Sequence, residues 1–253
     1  MNAKQFRLRL YGHRGARARL PENTLPAFER ALADGANALE LDVHPTADGH
    51  FVVAHDDDGQ RMAGVSEQIR ACTLAQVRSW NVGAGFECAD LVDHTVPTLS
   101  ETLEAFPDVP MSVDLKPNDP GVIPGLLEVV ARHNAEHRVT LASFSTPVVN
   151  RIRLLGYPGR TTLSKQEVAL VRFLPGAMAK RYIKGDAAHI PVARGGIRLD
   201  GRSFIRRCRD LGLRVEYWVV DNPDEARRLL DRGATGIMSD DPALIAPVFE
   251  ERR

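Results

Sequence analysis

From Thr98 onward the chain alternates short apolar runs with amphipathic stretches of helical spacing, and no composition break or Pro/Ser-rich linker interrupts the rhythm. The apolar runs fall at Met111–Lys116, Val139–Ala142, 160–163, 187–190, Arg214–Val220 and Gly236–Ser239. Helices are expected over 99–106, 121–136, 146–155, 165–181, 201–211 and Asp224–Asp231, with a last one from Pro242. Pro223 and Pro242 sit at helix starts behind Asn222 and Asp241, the candidate caps. Strands separated by helices pair in parallel through crossovers, which stack helices on the sheet. With two earlier strands at 8–11 and 38–44 the pattern is α/β and reads as a single (β/α)8 TIM barrel. A doubly wound open sheet is the alternative, but no Gly-x-Gly-x-x-Gly follows any strand. The 253 residues suit one barrel domain spanning 1–253.

The N-terminal third has its own punctuation. Leu8–Tyr11 is a short strand that delivers His13 and Arg14 at its end, and Thr24 caps a helix with Pro26 in its first turn. Leu25, Phe28, Ala31 and Leu32 give that helix its apolar stripe, and Gly35 ends it. Asp48-Gly49 is a tight turn between strand 38–44 and a strand at 51–55. Residues 57–97 are polar and weakly periodic, so they read as an insertion after the second strand, with a short helix near Thr73–Trp80. A segment of that length inside a compact domain is usually functional.

Lys plus Arg and Asp plus Glu each number 33, so net charge is zero, which argues against nucleic acid as a partner. Cys72, Cys88 and Cys208 lack metal-type spacing and read as reduced thiols. Met1–Leu10 carries Lys4, Arg7 and Arg9 without an apolar core, and no run approaches the ~18 apolar residues of a membrane span. A cytoplasmic protein without stable membrane association is the expectation.

Ala38–His44 alternates apolar and ionisable residues at period two. In a barrel this turns Leu39, Leu41 and Val43 to the helices, and Glu40 and Asp42 inward near the catalytic end, with Cα atoms roughly 6–7 Å apart. Asp114 repeats the pattern on Met111–Lys116. Two arrangements satisfy such carboxylates: a buried ion pair with Arg or Lys, or a shared cation. Three carboxylates and water suit one divalent cation, Mg²⁺ or Ca²⁺, better than Zn²⁺. Lys116 fits an anion held beside the metal, the alternative being a snorkelling surface lysine. His13 and His55 end apolar runs that converge on the same mouth and could serve as general base and general acid around a phosphorus centre. Arg14 could grip phosphate with two prongs. Arg17 and Arg19 read as loop or rim charges, and His44 as a turn or rim residue past its strand's end.

His13-Arg14-Gly15, Pro21-Glu22-Asn23-Thr24, Gly35-Ala36, Glu40-Leu41-Asp42-Val43, Thr46 with Asp48-Gly49, and His55-Asp56 resemble the glycerophosphodiester phosphodiesterase family. Val96-Pro97-Thr98-Leu99, Asp114-Leu115-Lys116, Ser143-Phe144, Trp218 and Gly233 to Asp240-Asp241-Pro242 extend the resemblance to the C-terminal region. The resemblance implies a (β/α)8 barrel with an insertion after the second strand. It implies divalent-cation-dependent hydrolysis of glycerophosphodiesters to glycerol 3-phosphate and an alcohol. It also implies Glu40, Asp42 and Asp114 as metal ligands, His13 and His55 as the acid–base pair, Arg14 and Lys116 on phosphate, and Trp218 on the glycerol side. Glu22 and Asn23 would be positioning residues.

The chain departs from the family where many relatives carry Glu at position 114. It departs again in Trp218-Val219-Val220-Asp221, which stands for a Trp-Thr-Val-Asn run, and it carries His189 near the sixth strand. These changes bear on substrate identity more than on reaction type. The rival readings are a lysophospholipid or inositol-type phosphodiesterase and a catalytically silent barrel that binds phosphorylated metabolites. The scattered Met62, Val65, Ile69, Trp80 and Phe86 speak against a lipid lid, and the full set of three carboxylates and two histidines speaks against silence.

Overall fold

The structure, a computed structural model, describes residues 6–83 and 94–252; Cys88 and Phe86 of the expected insertion lie outside the described residues. Eight parallel strands form the barrel wall: β1 Arg9–His13, β2 Ala38–Pro45, β3 Met111–Leu115, β4 Val139–Ala142, β5 Arg160–Thr161, β6 Ala187–Ile190, β7 Arg214–Tyr217 and β8 Gly236–Ser239. Their spatial order is β5-β4-β3-β2-β1-β8-β7-β6. A parallel bridge between Thr162 and Ala187, with Leu163 N–H donating to Ala187 O at 2.7 Å, closes the ring. The open-sheet alternative is excluded.

A barrel strand is covered on both faces, so it must be buried throughout. Every residue of β2 except Pro45 is buried. Leu39, Leu41 and Val43 join Phe28 and Ala31 of the helix Leu25–Ala33 in the apolar layer between sheet and helices. The intervening Glu40 and Asp42 stay out of that layer and pair in register with Ser112 and Asp114 of β3. Thr24 caps the Leu25–Ala33 helix by accepting from Ala27 N–H, and Asn222 caps Pro223–Asp231. Asp241, expected to cap the last helix, makes no such bond and instead pairs with Arg19 at 3.1 Å.

Three expected elements end early for local reasons. The helix expected over 165–181 is two, Lys165–Phe173 and Gly176–Ala179, because Pro175 lacks an N–H and forces Leu174 into extended backbone. That over 121–136 runs Ile123–Arg132 behind a 3-10 turn at Pro120–Val122. The β7 run stops at Tyr217, before Trp218.

Between β2 and β3 the strand Phe51–Val53 folds back antiparallel on β2 across the Asp48-Gly49 turn. Beyond it, a short hairpin pairs Asp58–Gly59 with Val65–Gln68, and Thr73 opens the helix Leu74–Arg78 with a reciprocal cap to Gln76. Ile69, Val77 and Trp80 bury themselves with Val52 and Val96 in a small apolar cluster of their own. Among the described residues no helix is long and apolar enough to cross a membrane.

Candidate active site

A cavity of about 230 Å³ opens at the carboxyl ends of the strands, where a barrel carries its chemistry. Its wall includes His13, Arg14, Glu40, Asp42, His55, Asp114, Lys116 and Trp218, so the eight residues given catalytic, metal or substrate roles come to one place, while Glu22 and Asn23 are not part of this wall. Ser112, His189 and Phe144 also line it.

β1 hands His13 to the mouth, and the chain then turns sharply, with Arg14 and Asn23 both in the left-handed region at φ 57° and 59°. Such backbone is costly for residues with a Cβ and clusters at functional sites. Here it is held by Arg14 N–H donating to Glu40 O and Asn23 N–H to Arg14 O, both at 2.9 Å. The result brings two groups to one buried carboxylate: Asn23 Nδ2 donates to Asp42 Oδ2 at 3.1 Å, and Arg14 Nε forms an ion pair with the same oxygen at 3.1 Å.

Lys116 Nζ completes the arrangement, 2.8 Å from Asp42 Oδ1 and 2.7 Å from Asp114 Oδ2. Burial works against the charged form of Asp42, but Lys116 and Arg14 outweigh it and lower its pKa. Glu40 fares differently. Its Oε2 is buried without a hydrogen-bond partner, and burial together with neighbouring Asp42 pushes its pKa up to about 7. A buried carboxylate oxygen left without a donor is expensive. Among the described residues no three His, Cys, Asp or Glu side chains are drawn together as a ready ligand set; the Lys116 ammonium stands between Asp42 and Asp114.

Each histidine is backed by a carboxylate. His13 Nδ1 lies 2.6 Å from Asp240 Oδ1, and His55 Nδ1 lies 2.7 Å from Asp56 Oδ1. Burial opposes a charged His13, but the Asp240 hydrogen bond and Glu40, 3.8 Å from Nε2, outweigh it and raise its pKa. An ionised carboxylate on Nδ1 keeps the proton there and leaves Nε2 to the cavity.

The two carboxylates are tied together through Glu22. This buried side chain meets Arg14 at 3.1 Å, Arg17 at 3.2 Å and Arg61 at 2.6 Å. Arg61 also grips Asp56 at 2.6 Å, while Arg17 lies 3.6 Å from Asp240. A charge belt Asp56–Arg61–Glu22–Arg17–Asp240 therefore runs behind both histidines. Arg17, read from sequence as a rim charge, belongs to the site, whereas exposed Arg19 stays on the rim. His44 also differs from its reading: it is buried inside β2, and its Nε2 lies 3.1 Å from His55 O, bracing the segment that carries His55.

A further polar group underlies the cavity. Glu216 is fully buried and accepts from Tyr11 Oη at 2.9 Å, His189 Nε2 at 2.6 Å and Arg214 Nε at 2.6 Å. Burial disfavours its charge, but His189 and Arg214 prevail and hold its pKa at about 2. His189 Nδ1 in turn lies 3.2 Å from Ser112 Oγ.

A sequence model of the glycerophosphoryl diester phosphodiesterase family matches residues 13–244. The chain belongs to this family. Among relatives of the phosphodiesterase, human lysophospholipase D GDPD1 is 28% identical over 267 residues, spanning 94% of this chain and 85% of that protein. The glycerophosphodiester phosphodiesterase of Caldanaerobacter subterraneus subsp. tengcongensis is 29% identical over 241 residues, spanning 91% and 93% of the two chains. The crystal structure of glycerophosphodiester phosphodiesterase from Agrobacterium tumefaciens shares the fold, with a TM-score of 0.81 at 24% identity over 96% of this chain and 99% of that one. The enzyme reading of the sequence holds: the chain is a phosphoric diester hydrolase. In this phosphodiesterase, sequence reasoning passed over Asp56, Arg61, Asp240 and Glu216. Asp56 and Asp240 stood in the runs that carry the family resemblance, but neither was given a role there.

Proposed function

We propose that the enzyme cleaves glycerophosphodiesters to glycerol 3-phosphate and an alcohol, with a divalent cation bound and with His13 and His55 as acid and base. The observation that carries this reading is the pair of imidazoles, each backed by a carboxylate on Nδ1, on one cavity with Arg14, Lys116 and three carboxylates.

Glu40, Asp42 and Asp114 are the residues that would hold Mg²⁺ or Ca²⁺. The fit rests on hard oxygen donors and on Glu40 Oε2, buried without a donor and short of positive charge. The cation supplies a Lewis acid that offsets phosphate charge and lowers the pKa of the attacking hydroxyl. Lys116 would offer its ammonium to one phosphate oxygen, and Arg14 would hold another. One histidine accepts at Nε2 the proton of water, or of the glycerol 2-hydroxyl, as the new O–P bond forms. The other, as imidazolium, gives its Nε2 proton to the departing alcohol oxygen as the P–O bond breaks. Asp240 and Asp56 stabilise each ring while it is charged. If the 2-hydroxyl attacks, a cyclic phosphate forms and water opens it with the two rings exchanging roles; phosphorus NMR of the reaction reads which path is taken.

The test is choline or ethanolamine release from glycerophospho-derivatives with and without EDTA. The reading requires loss of activity on chelation; activity indifferent to EDTA overturns it. A lysophospholipid substrate is the second reading, favoured by the likeness to human lysophospholipase D GDPD1. Against it, Ile69, Val77 and Trp80 bury themselves in their own cluster instead of facing the mouth. Parallel assays on lysophosphatidylcholine and glycerophosphocholine separate the two.

A further inference from the structure

A hydrogen bond crosses the barrel beneath the catalytic groups. Ser112 is the inward-facing residue of β3 two positions before Asp114, so it lies roughly 6–7 Å further from the mouth. His189 of β6 pairs in register with Glu216, two positions before Trp218, and so lies one inward step below that ring. β3 and β6 are not neighbours in the wall, so the 3.2 Å contact between Ser112 Oγ and His189 Nδ1 spans the interior. Both residues line the cavity, and behind them Tyr11 and Glu216 are fully buried and close the barrel.

This bridge leaves one polar atom to the cavity. Glu216 is ionised and can only accept, so the Nε2 of His189 carries a proton. Arg214, 2.6 Å from the other Glu216 oxygen, balances the carboxylate, so the ring needs no second proton. Nδ1 then accepts the Ser112 O–H, and among the described residues Ser112 Oγ bonds to nothing else. With its proton engaged, the oxygen offers lone pairs alone, and the ligand group that satisfies them is a hydrogen-bond donor. An alkyl or ester group at this place leaves a buried acceptor unpaired.

Building on the glycerophosphodiester reading above, we propose that Ser112 Oγ, oriented by His189 and Glu216, accepts the terminal hydroxyl of the substrate's glycerol, so that the enzyme takes deacylated glycerophosphodiesters over lysophospholipids. The placement follows from the two ends of the cavity. Arg14, Lys116, His13 and His55 fix the phosphate near the strand ends. The departing alcohol varies between substrates and needs the open mouth, whereas the glycerol is constant and suits the closed floor below Trp218. Five bonds separate phosphorus from the terminal glycerol oxygen, a reach of about one inward step on a strand. A lysophospholipid has that oxygen esterified: it brings no donor to Ser112, and its acyl chain meets the buried Tyr11 and Glu216.

The test is kcat/KM for glycerophosphocholine and for 2-hydroxypropyl phosphocholine, which keeps the 2-hydroxyl and lacks only the terminal one, taken as a ratio. Wild type is expected to favour glycerophosphocholine about 10–100-fold and to turn over lysophosphatidylcholine more slowly than glycerophosphocholine by at least as much. In Ser112→Ala the ratio falls toward one because glycerophosphocholine slows while the deoxy analogue does not. His189→Phe, which keeps the ring against Tyr11 and removes Nδ1, lowers the ratio likewise. A general loss of structure would slow both substrates together and leave the ratio alone. A wild-type ratio near one, a ratio kept in either variant, or lysophosphatidylcholine turned over as fast as glycerophosphocholine overturns the inference and leaves the hydrolase reading intact. Hydrolysis of none of these, nor of glycerophosphoglycerol, overturns that reading and the inference with it.

Discussion

Glu22→Gln is the substitution that most directly loads the charge belt. It keeps the shape of the side chain and removes the one negative charge that Arg14, Arg17 and Arg61 share. Breaking a buried pair costs about 3–5 kcal/mol, whereas exposed pairs are worth about 0–1 kcal/mol. Arg14 is only 12% exposed, but it keeps Asp42 as a partner; Arg17 and Arg61 are 31% and 46% exposed and count for little each. The sum comes to about 3 kcal/mol. For a chain of this size that lowers Tm by about 6–12 °C. The belt also sets the partners of both histidines, so kcat on glycerophosphocholine should fall at least about tenfold, as expected when catalytic groups lose alignment. Calorimetric melting at pH 7 reads the first effect and choline release the second. Arg19→Gln, which breaks the exposed arginine's pairs to Asp241 and Asp34, is the control and should move Tm by less than about 3 °C. A Glu22→Gln enzyme that melts with the control, at unchanged kcat, would refute the belt as a positioning device.

Three more consequences are open to measurement. Glu216 has its folded pKa depressed from 4.5 to about 2, so its stabilisation is complete above pH ~4.5 and is lost as pH falls toward 2. Glu216→Gln should therefore cost about 3 kcal/mol in urea unfolding at pH 7 and progressively less at pH 4 and 3; a gap that does not change with pH would contradict this. Gly15→Ala puts a Cβ 2.6 Å from the Ala27 carbonyl carbon at φ +86°, so Tm should drop by about 5–10 °C, and a wild-type melt would show that the Arg14 turn relaxes freely. Glu40→Gln should weaken Mg²⁺ or Ca²⁺ binding, read by titration calorimetry without substrate, by more than about 100-fold; equal affinity would remove Glu40 from the ligand set.

Much of the barrel was legible because its strands carry local signals. The alternation in Ala38–His44 and Met111–Lys116 separates the apolar layer from the carboxylates at a glance, and caps such as Thr24 and Asn222 are written within a few residues of the bonds they make. The parts that escaped depend on closure of the ring. Asp240 meets His13 across 227 positions, and Glu216 meets Tyr11 across 205, so neither partner is visible until β8 and β7 are docked. Lys116 was read as a hand for phosphate, yet its partners here are Asp42 and Asp114, both arrangements being compatible with a lysine just beyond a strand. His44 was read as a turn or rim residue; β2 instead runs on to Pro45, and pairing with Phe51–Val53 keeps His44 buried. The break at Leu174 was legible in Pro175-Gly176, but the helix was read through it.

Acid–base catalysis by two histidines is the centre of the account, and leaving-group dependence tests it in one experiment. His13→Ala and His55→Ala are each assayed on glycerophosphocholine and on a glycerophosphodiester of p-nitrophenol, whose anion departs without a proton. General acid or base catalysis contributes about 10²–10⁴-fold, so both variants should lose that much on the choline ester. On the nitrophenyl ester the variant lacking the acid should recover most of its rate, and the variant lacking the base should not. Equal losses on both esters in both variants would contradict the assignment of the pair.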